Sequence, residues 1–343
     1  MTPALTSAMD ATIAALLVPG KGILAADESL STIEKRFAAL GIASTAASRR
    51  AYREMLFTTP TLAGSVSGAI LFDETMGQQT TQGALMPEAL TALGITPGIK
   101  VDKGTTPLPG FAGELLTSGL DELRERLVDY RERGARFTKW RAVMAIANDR
   151  PSRHCIEVNA RALAMFAALS QEAGLVPIVE PELLMEGRHT IEQCDAVVST
   201  ILVSLFDALF EHRVVLEDTL LKTGMVVSGS ESPLQADVPL VADMTLRCLR
   251  RSVPAAVPGI LFLSGGQNAE QATARLAAIC GFGHAPWTLG FSFGRALQAP
   301  ALAVWKGDDA NVSGAQAALR DRAERNSAAL LGHGVSCVEP SCP

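Results

Sequence analysis

Lys222, Lys139, Glu180 and Asp27 each close a short run of apolar residues, where a plain hydrophobic core would have no use for a charge. Lys222 stands in LEDTLLKTGMV (216–226), among leucines and valines, with no acidic residue beside it. A lysine hemmed in by apolar side chains and a second cation holds its proton less tightly, because desolvation and like charge both disfavour the ammonium. The neutral amine can attack a carbonyl and form a Schiff base. A protonated Schiff base is an electron sink, so a ketose joined to it can split by retro-aldol cleavage and leave an enamine. Proton carriers must then dehydrate the carbinolamine and deprotonate the hydroxyl beside the breaking bond. Carboxylates at neighbouring strand ends suit both tasks.

Anion binding is legible as well. Ser264-Gly265-Gly266 and Gly294-Arg295 close the last two apolar runs. Glycines let backbone N–H groups approach a phosphate, and arginine adds a fork of donors. A second cationic set, Lys35 and Arg36 with Lys103 and Arg141, could hold another phosphate.

The elements that must position these groups alternate in type. Eight apolar runs can be counted: 22–28, 68–74, 99–104, 137–143, 176–183, 214–226, 259–266 and 287–297. Helical patterns separate them, including 119–134, 159–174 and 189–212. Strands alternating with helices imply βαβ units and a parallel sheet, and eight such units imply closure into a (β/α)8 TIM barrel. An amphipathic helix precedes the barrel and another helix follows it. No Pro/Gly/Ser tract divides the chain, so residues 1–343 read as one barrel domain, with 331–343 as a flexible C-terminal tail.

The runs begin apolar and end polar or in glycine. In a parallel barrel those ends meet at one mouth, where active sites lie. Side chains at i and i+2 share a strand face, so Lys139 and Arg141 point together, as do Glu180 and Glu182.

The totals narrow the class further. The chain has 343 residues, 48% of them hydrophobic, with a formal net charge of −6. A large core is therefore expected, and nucleic-acid or anionic-membrane binding is not. No apolar run is expected to reach the roughly 18 residues of a membrane span, and the N-terminus does not read as a signal peptide. The six cysteines are scattered without a CxxC pair, which suits a reduced, cytoplasmic setting. The five histidines show no ligand-like pairing, so neither a metal nor another cofactor is expected.

At GKGILAADES, GAILFDET, IKVDKGTTPLPG, FTKWRAV, GLVPIVEPE, LEDTLLK, FLSGGQ and FSFGRALQ the chain resembles the class I, Schiff-base fructose-bisphosphate aldolases, from about Lys21 to Asn326. The resemblance implies that Lys222 is the Schiff-base lysine and that Asp27 acts at the substrate's C4 hydroxyl. It gives Glu180 the carbinolamine proton transfers, with Glu182 supporting the same network. Lys139 would orient substrate and keep positive charge near the Schiff base. Ser264, Gly265, Gly266, Ser292, Gly294 and Arg295 would form the 1-phosphate pocket, with Arg36 nearby as an arginine that moves on binding. Lys103, Arg141, Ser29, Thr32 and Lys35 would grip the far phosphate. The implied ligand is a phosphorylated sugar and the implied assembly a homotetramer, with a role in glycolysis or gluconeogenesis.

Some residues depart from the family pattern. Thr223-Gly224 follow the lysine where animal enzymes carry Pro-Asn, and Phe293 replaces a common tyrosine. Ser31 and Thr32 stand where Gly and Ser are usual. Many members end in a tyrosine that exchanges a proton with the enamine, whereas this sequence ends in proline and its tyrosines are Tyr52 and Tyr130. Two other readings are another sugar-phosphate Schiff-base aldolase and a catalytically weak sugar-phosphate-binding scaffold.

Overall fold

A computed structural model describes residues 3–147, 149–283 and 285–332. The expected tail, apart from its first two residues, lies outside the described residues, as do Cys337, Cys342, His284 and His333. The strands are β1 (Gly22–Ala25), β2 (Val66–Leu71), β3 (Thr96–Lys100), β4 (Thr105–Pro107), β5 (Leu115–Thr117), β6 (Phe137–Ala145), β7 (Val176–Leu184), β8 (Leu220–Thr223), β9 (Gly259–Phe262) and β10 (Thr288–Phe293).

Eight of them close a barrel in the order β1-β10-β9-β8-β7-β6-β3-β2, and the expected (β/α)8 architecture is the one observed. Every barrel pair is parallel. Strands β4 and β5 form a separate antiparallel ribbon within the β3–β6 connection, an element the sequence reading did not anticipate.

The alternation within a strand builds the site. On β6, Phe137 joins the core inside the barrel, while Trp140 faces outward and stacks on Phe166 of the helix Arg153–Glu172, with ring centroids 5.6 Å apart. Period-2 geometry then turns Lys139 and Arg141 inward above Phe137. The inner core unites Phe137, Ile178, Leu220 and Leu261 with Met9, Ile13 and Leu16 of the N-terminal helix Pro3–Leu16. That helix plugs the floor, so the opposite, C-terminal end is the open mouth. The larger outer core lies between the sheet and its ring of helices.

Three expectations need correction. The run 214–226 is not one strand. Gln171 binds both backbone groups of Val215, and Leu216–Asp218 makes a 3-10 turn before the four-residue β8. Asp73 and Glu74 do not end a strand but open the short helix Asp73–Met76, where Tyr130 donates to Asp73 and Arg49 pairs with Glu74 at 2.5 Å. One stretch also does reach spanning length. Ile191–Glu211 is 21 residues long, with a mean hydropathy of 1.5 over its most apolar window. It serves here as an outer helix, burying Val198, Leu202, Leu205 and Leu209 in the outer core.

Glycines inside β2 and β3 make room for large floor residues. A Cβ on Gly98 would lie 2.3 Å from the Phe137 ring, its partner across the β3–β6 pair. We predict that Gly98→Ala lowers unfolding stability by about 1–3 kcal/mol, the usual cost of overpacking a core. Urea denaturation checks this, and an unchanged midpoint would show that Phe137 is free to yield.

Candidate active site

The mouth gathers its charges from three neighbouring strand ends and from the segment after β1. Lys139 Nζ lies 2.5 Å from Asp27 Oδ2 and 3.3 Å from Glu180 Oε2. Lys222 Nζ lies 3.1 Å from Glu180 Oε1. Glu180 is therefore shared by two amines, and Lys139 by two carboxylates. All four side chains are buried. Above them Arg141 pairs with Glu182, as the spacing of two along β6 and β7 requires.

Burial and charge oppose one another here. Burial raises the Asp27 carboxyl, but the Lys139 and Lys222 amines outweigh it and hold the group far below the usual carboxylate range. Burial likewise works against ionisation of Glu180, and Lys139, Lys222 and Arg141 overcome it, so its acidity is raised. Burial disfavours the Lys139 ammonium, yet Asp27, Glu180 and Asp102 push its pKa above the ordinary lysine value. Lys139 is thus a fixed cation and Asp27 and Glu180 are carboxylates, with the Lys222 amine against Glu180.

The phosphate candidates lie around this cluster. Ser264, Gly265 and Gly266 follow β9, and both glycines take left-handed φ, at 53° and 92°. A Cβ on Gly266 would lie 3.6 Å from the Arg295 guanidinium, so arginine and glycine turn face each other. Ser292 on β10 is buried with a hydroxyl that has no hydrogen-bond partner among the described residues. Gly294 and Arg295 open the helix Arg295–Trp305, whose free N–H groups favour an anion. On the other side, Ser29 caps the helix Leu30–Ala38, and its hydroxyl lies 3.0 Å from that of Thr32. Lys35 and Thr32 are exposed on that helix, and Lys103 is exposed in a groove it shares with Ser29. Arg36 points elsewhere: its guanidinium is held by Glu28 at 2.5 Å.

Glu28 is the residue that sequence reasoning missed most clearly. It is buried, pairs with both Arg36 and Arg53, and accepts from Gln298 at 2.8 Å. Gln298 also donates to the Ala25 carbonyl and accepts from Tyr52. This second buried network fixes the backbone that carries Asp27. Its only sequence signal was the acidic pair in AADES. Asp102 was missed too. It pairs with Lys100 at 2.6 Å and accepts from the Arg141 backbone at 3.3 Å, tying β3 to β6 at the height of the site.

A closed parallel barrel with an amine, a fixed cation and two carboxylates buried at its C-terminal mouth defines a class: a (β/α)8-barrel enzyme built for carbonyl chemistry. The family model for fructose-bisphosphate aldolase class-I matches residues 8–339. A probable fructose-bisphosphate aldolase class 1 of Xanthomonas axonopodis pv. citri is 55% identical over 322 residues, covering 94% of this chain and 96% of the relative. The cytosolic fructose-bisphosphate aldolase 4 of Arabidopsis thaliana is 51% identical, over 92% of this chain and 80% of the relative. The crystallised fructose-bisphosphate aldolase of Plasmodium falciparum, solved with TRAP and a small-molecule inhibitor, superposes with a TM-score of 0.96 at 44% identity, covering 98% of this chain and 97% of that one. The chain belongs to the class-I fructose-bisphosphate aldolase family.

Two predictions follow from the charge networks. Because Asp27 and Glu180 are more acidic folded than unfolded, the stability they add is present above the unfolded carboxylate values of about 4 and is lost as pH falls through the folded values. Asp27→Asn removes one contribution, so its Tm against pH should flatten on the acid side; an unaltered acid limb would contradict the linkage. Glu28→Gln leaves Arg53 buried without a charged partner, which should cost about 3–5 kcal/mol in chemical denaturation. A change below about 1 kcal/mol would show that Arg53 finds another partner.

Proposed function

We propose that the Lys222–Glu180–Lys139–Asp27 cluster is the catalytic centre of a class I aldolase reaction and that each residue has a distinct role in it. As a member of this family the chain is a carbon–carbon lyase that cleaves fructose 1,6-bisphosphate reversibly to dihydroxyacetone phosphate and glyceraldehyde 3-phosphate through a lysine Schiff base, in glycolysis or its reversal. What supports the assignment of roles is the sharing of Glu180 between two amines.

In this reading the Lys222 amine attacks the ketone carbon. Glu180, ionised and 3.1 Å away, takes up a proton from the attacking nitrogen and passes it to the carbinolamine oxygen; a second proton, drawn from solvent and delivered by the same carboxyl, lets that oxygen leave as water and the protonated Schiff base remain. Lys139 stays protonated between Asp27 and Glu180, so its charge stabilises the developing oxyanion without needing to move. Asp27 removes the proton from the C4 hydroxyl, the C3–C4 bond breaks, and the aldehyde departs. The electron pair remains as the enamine on Lys222. Protonation of its carbon and hydrolysis release the ketone product.

The phosphates orient the sugar. The 1-phosphate is assigned to Ser264, Gly265, Gly266, Ser292, Gly294 and Arg295, whose partnerless Ser292 hydroxyl and helix N-terminus favour an anion. Arg36 reaches it by exchanging Glu28 for phosphate. The far phosphate falls to Lys103, Arg141, Ser29, Thr32 and Lys35. Glu182 holds Arg141 for that task. Residues 1–343 are taken as one domain and the protein as a homotetramer, and a cytoplasmic location is supported by the cytosolic naming of plant relatives.

A coupled assay for triose phosphate release from fructose 1,6-bisphosphate tests the reading. Lys222→Ala should lower kcat by at least about 10⁴-fold, as loss of a covalent nucleophile does. Near-normal turnover in that variant would place the nucleophile elsewhere.

A further inference from the structure

Three arginines among the described residues are buried, and two of them face a carboxylate. Arg53 pairs with Glu28, and Arg322 of the helix Val312–Leu330 has Glu270 at 2.8 Å. Arg275, 9% exposed in the helix Ala269–Gly281, has no carboxylate partner among the described residues. One guanidinium nitrogen donates to Gln267 Oε1 at 2.9 Å, and Nε is buried without a partner. Burial lowers its pKa with no neighbouring charge to oppose the effect, yet a guanidinium keeps its proton in any case. A buried charge normally has a counter-charge, because leaving water without one is costly.

The residue that Arg275 holds gives it a consequence. Gln267 closes the turn that begins at Ser264, its N–H donating to the Ser264 carbonyl at 2.9 Å. Between them Gly265 and Gly266 take the left-handed backbone, and the Arg295 guanidinium faces Gly266. The Gln267 side chain is buried. With its oxygen held by Arg275, its amide turns the N–H2 end toward Met225 Sδ, 3.8 Å away and three residues past Lys222. Thioether sulfur is a weak acceptor, so the arginine is what orients this amide. One side chain thus separates an unpaired cation from the turn to which the 1-phosphate is assigned.

We infer that Arg275 is a positioning residue for the 1-phosphate: it orients the turn 264–267 through Gln267 and leaves behind that turn a positive charge that the phosphate dianion balances. Charge acts farther through a protein interior than through water, so the guanidinium need not touch the ligand. Its part differs from that of Arg295, whose side chain faces the turn directly. The inference rests on that turn being the 1-phosphate pocket.

The test measures condensation of the two triose phosphates by the parent enzyme and by Arg275→Gln, Arg275→Lys and Gln267→Glu. Dihydroxyacetone phosphate carries the 1-phosphate and glyceraldehyde 3-phosphate the far one, so their KM values report on the two ends separately. Arg275→Gln removes the charge and should raise KM for dihydroxyacetone phosphate roughly three- to tenfold, the scale of one charge acting at a distance. Loss of binding alone leaves kcat, and also KM for glyceraldehyde 3-phosphate, within about twofold. Arg275→Lys keeps the charge and should hold both KM values within about twofold of the parent. Gln267→Glu sets a carboxylate against Arg275 and should reproduce the rise. Because it supplies the missing counter-charge, it carries the comparison if Arg275→Gln does not fold. An unchanged KM for dihydroxyacetone phosphate in the folded charge-removing variants overturns the inference. So does an equal rise for both triose phosphates, or an equal rise in Arg275→Lys, because each marks a residue that only supports the fold. Arg295→Gln tests the pocket itself: if it leaves KM for dihydroxyacetone phosphate unchanged, the assignment of the 1-phosphate to this turn is what fails.

Discussion

The interaction on which the site depends is the ammonium of Lys139, buried between Asp27 and Glu180. An isolated charge at that depth would discharge or draw in water. With a carboxylate at 2.5 Å and another at 3.3 Å it stays charged, and it holds both carboxylates ionised in return. Glu180 is then left as an ionised acceptor beside the Lys222 amine, at 3.1 Å. The arrangement is preorganised for a reaction that creates and moves charge, because the compensating groups need not reorient as it proceeds.

The rest of the fold holds that geometry in place. The N-terminal helix and Phe137 fill the floor and confine polar space to the mouth. The Glu28 network anchors the segment after β1, which carries Asp27, to Arg53 and Gln298 on surrounding helices. Asp102 ties β3 to the backbone of Arg141 on β6. The segments that carry Asp27 and Lys139 are thus each held by a buried polar link. Buried links of this kind are costly when half satisfied, so they specify one arrangement of strands.

Much of this is legible in the sequence because barrels impose simple rules. Apolar runs that end in charge mark strand ends, and a spacing of two marks one face. Lys139 with Arg141 and Glu180 with Glu182 obey both rules. The run 214–226 misled because apolar content alone cannot separate a strand from a turn held by a distant side chain, here Gln171. Glu28 and Asp102 were not found because their importance lies in partners from far along the chain. Glu28 meets Gln298 across 270 positions, and no local pattern announces such a contact. Arg36 shows the complementary limit, since its residue type suits phosphate while the observed conformation serves Glu28.

Borohydride reduction in the presence of dihydroxyacetone phosphate, followed by peptide mass mapping, tests the central claim most directly. Reduction converts any Schiff base into a stable secondary amine. The account predicts a single added adduct on the peptide that contains Lys222, with none on Lys139, whose proton is held by two carboxylates. An adduct on Lys139, or none on any lysine while the ligand still binds, would contradict it.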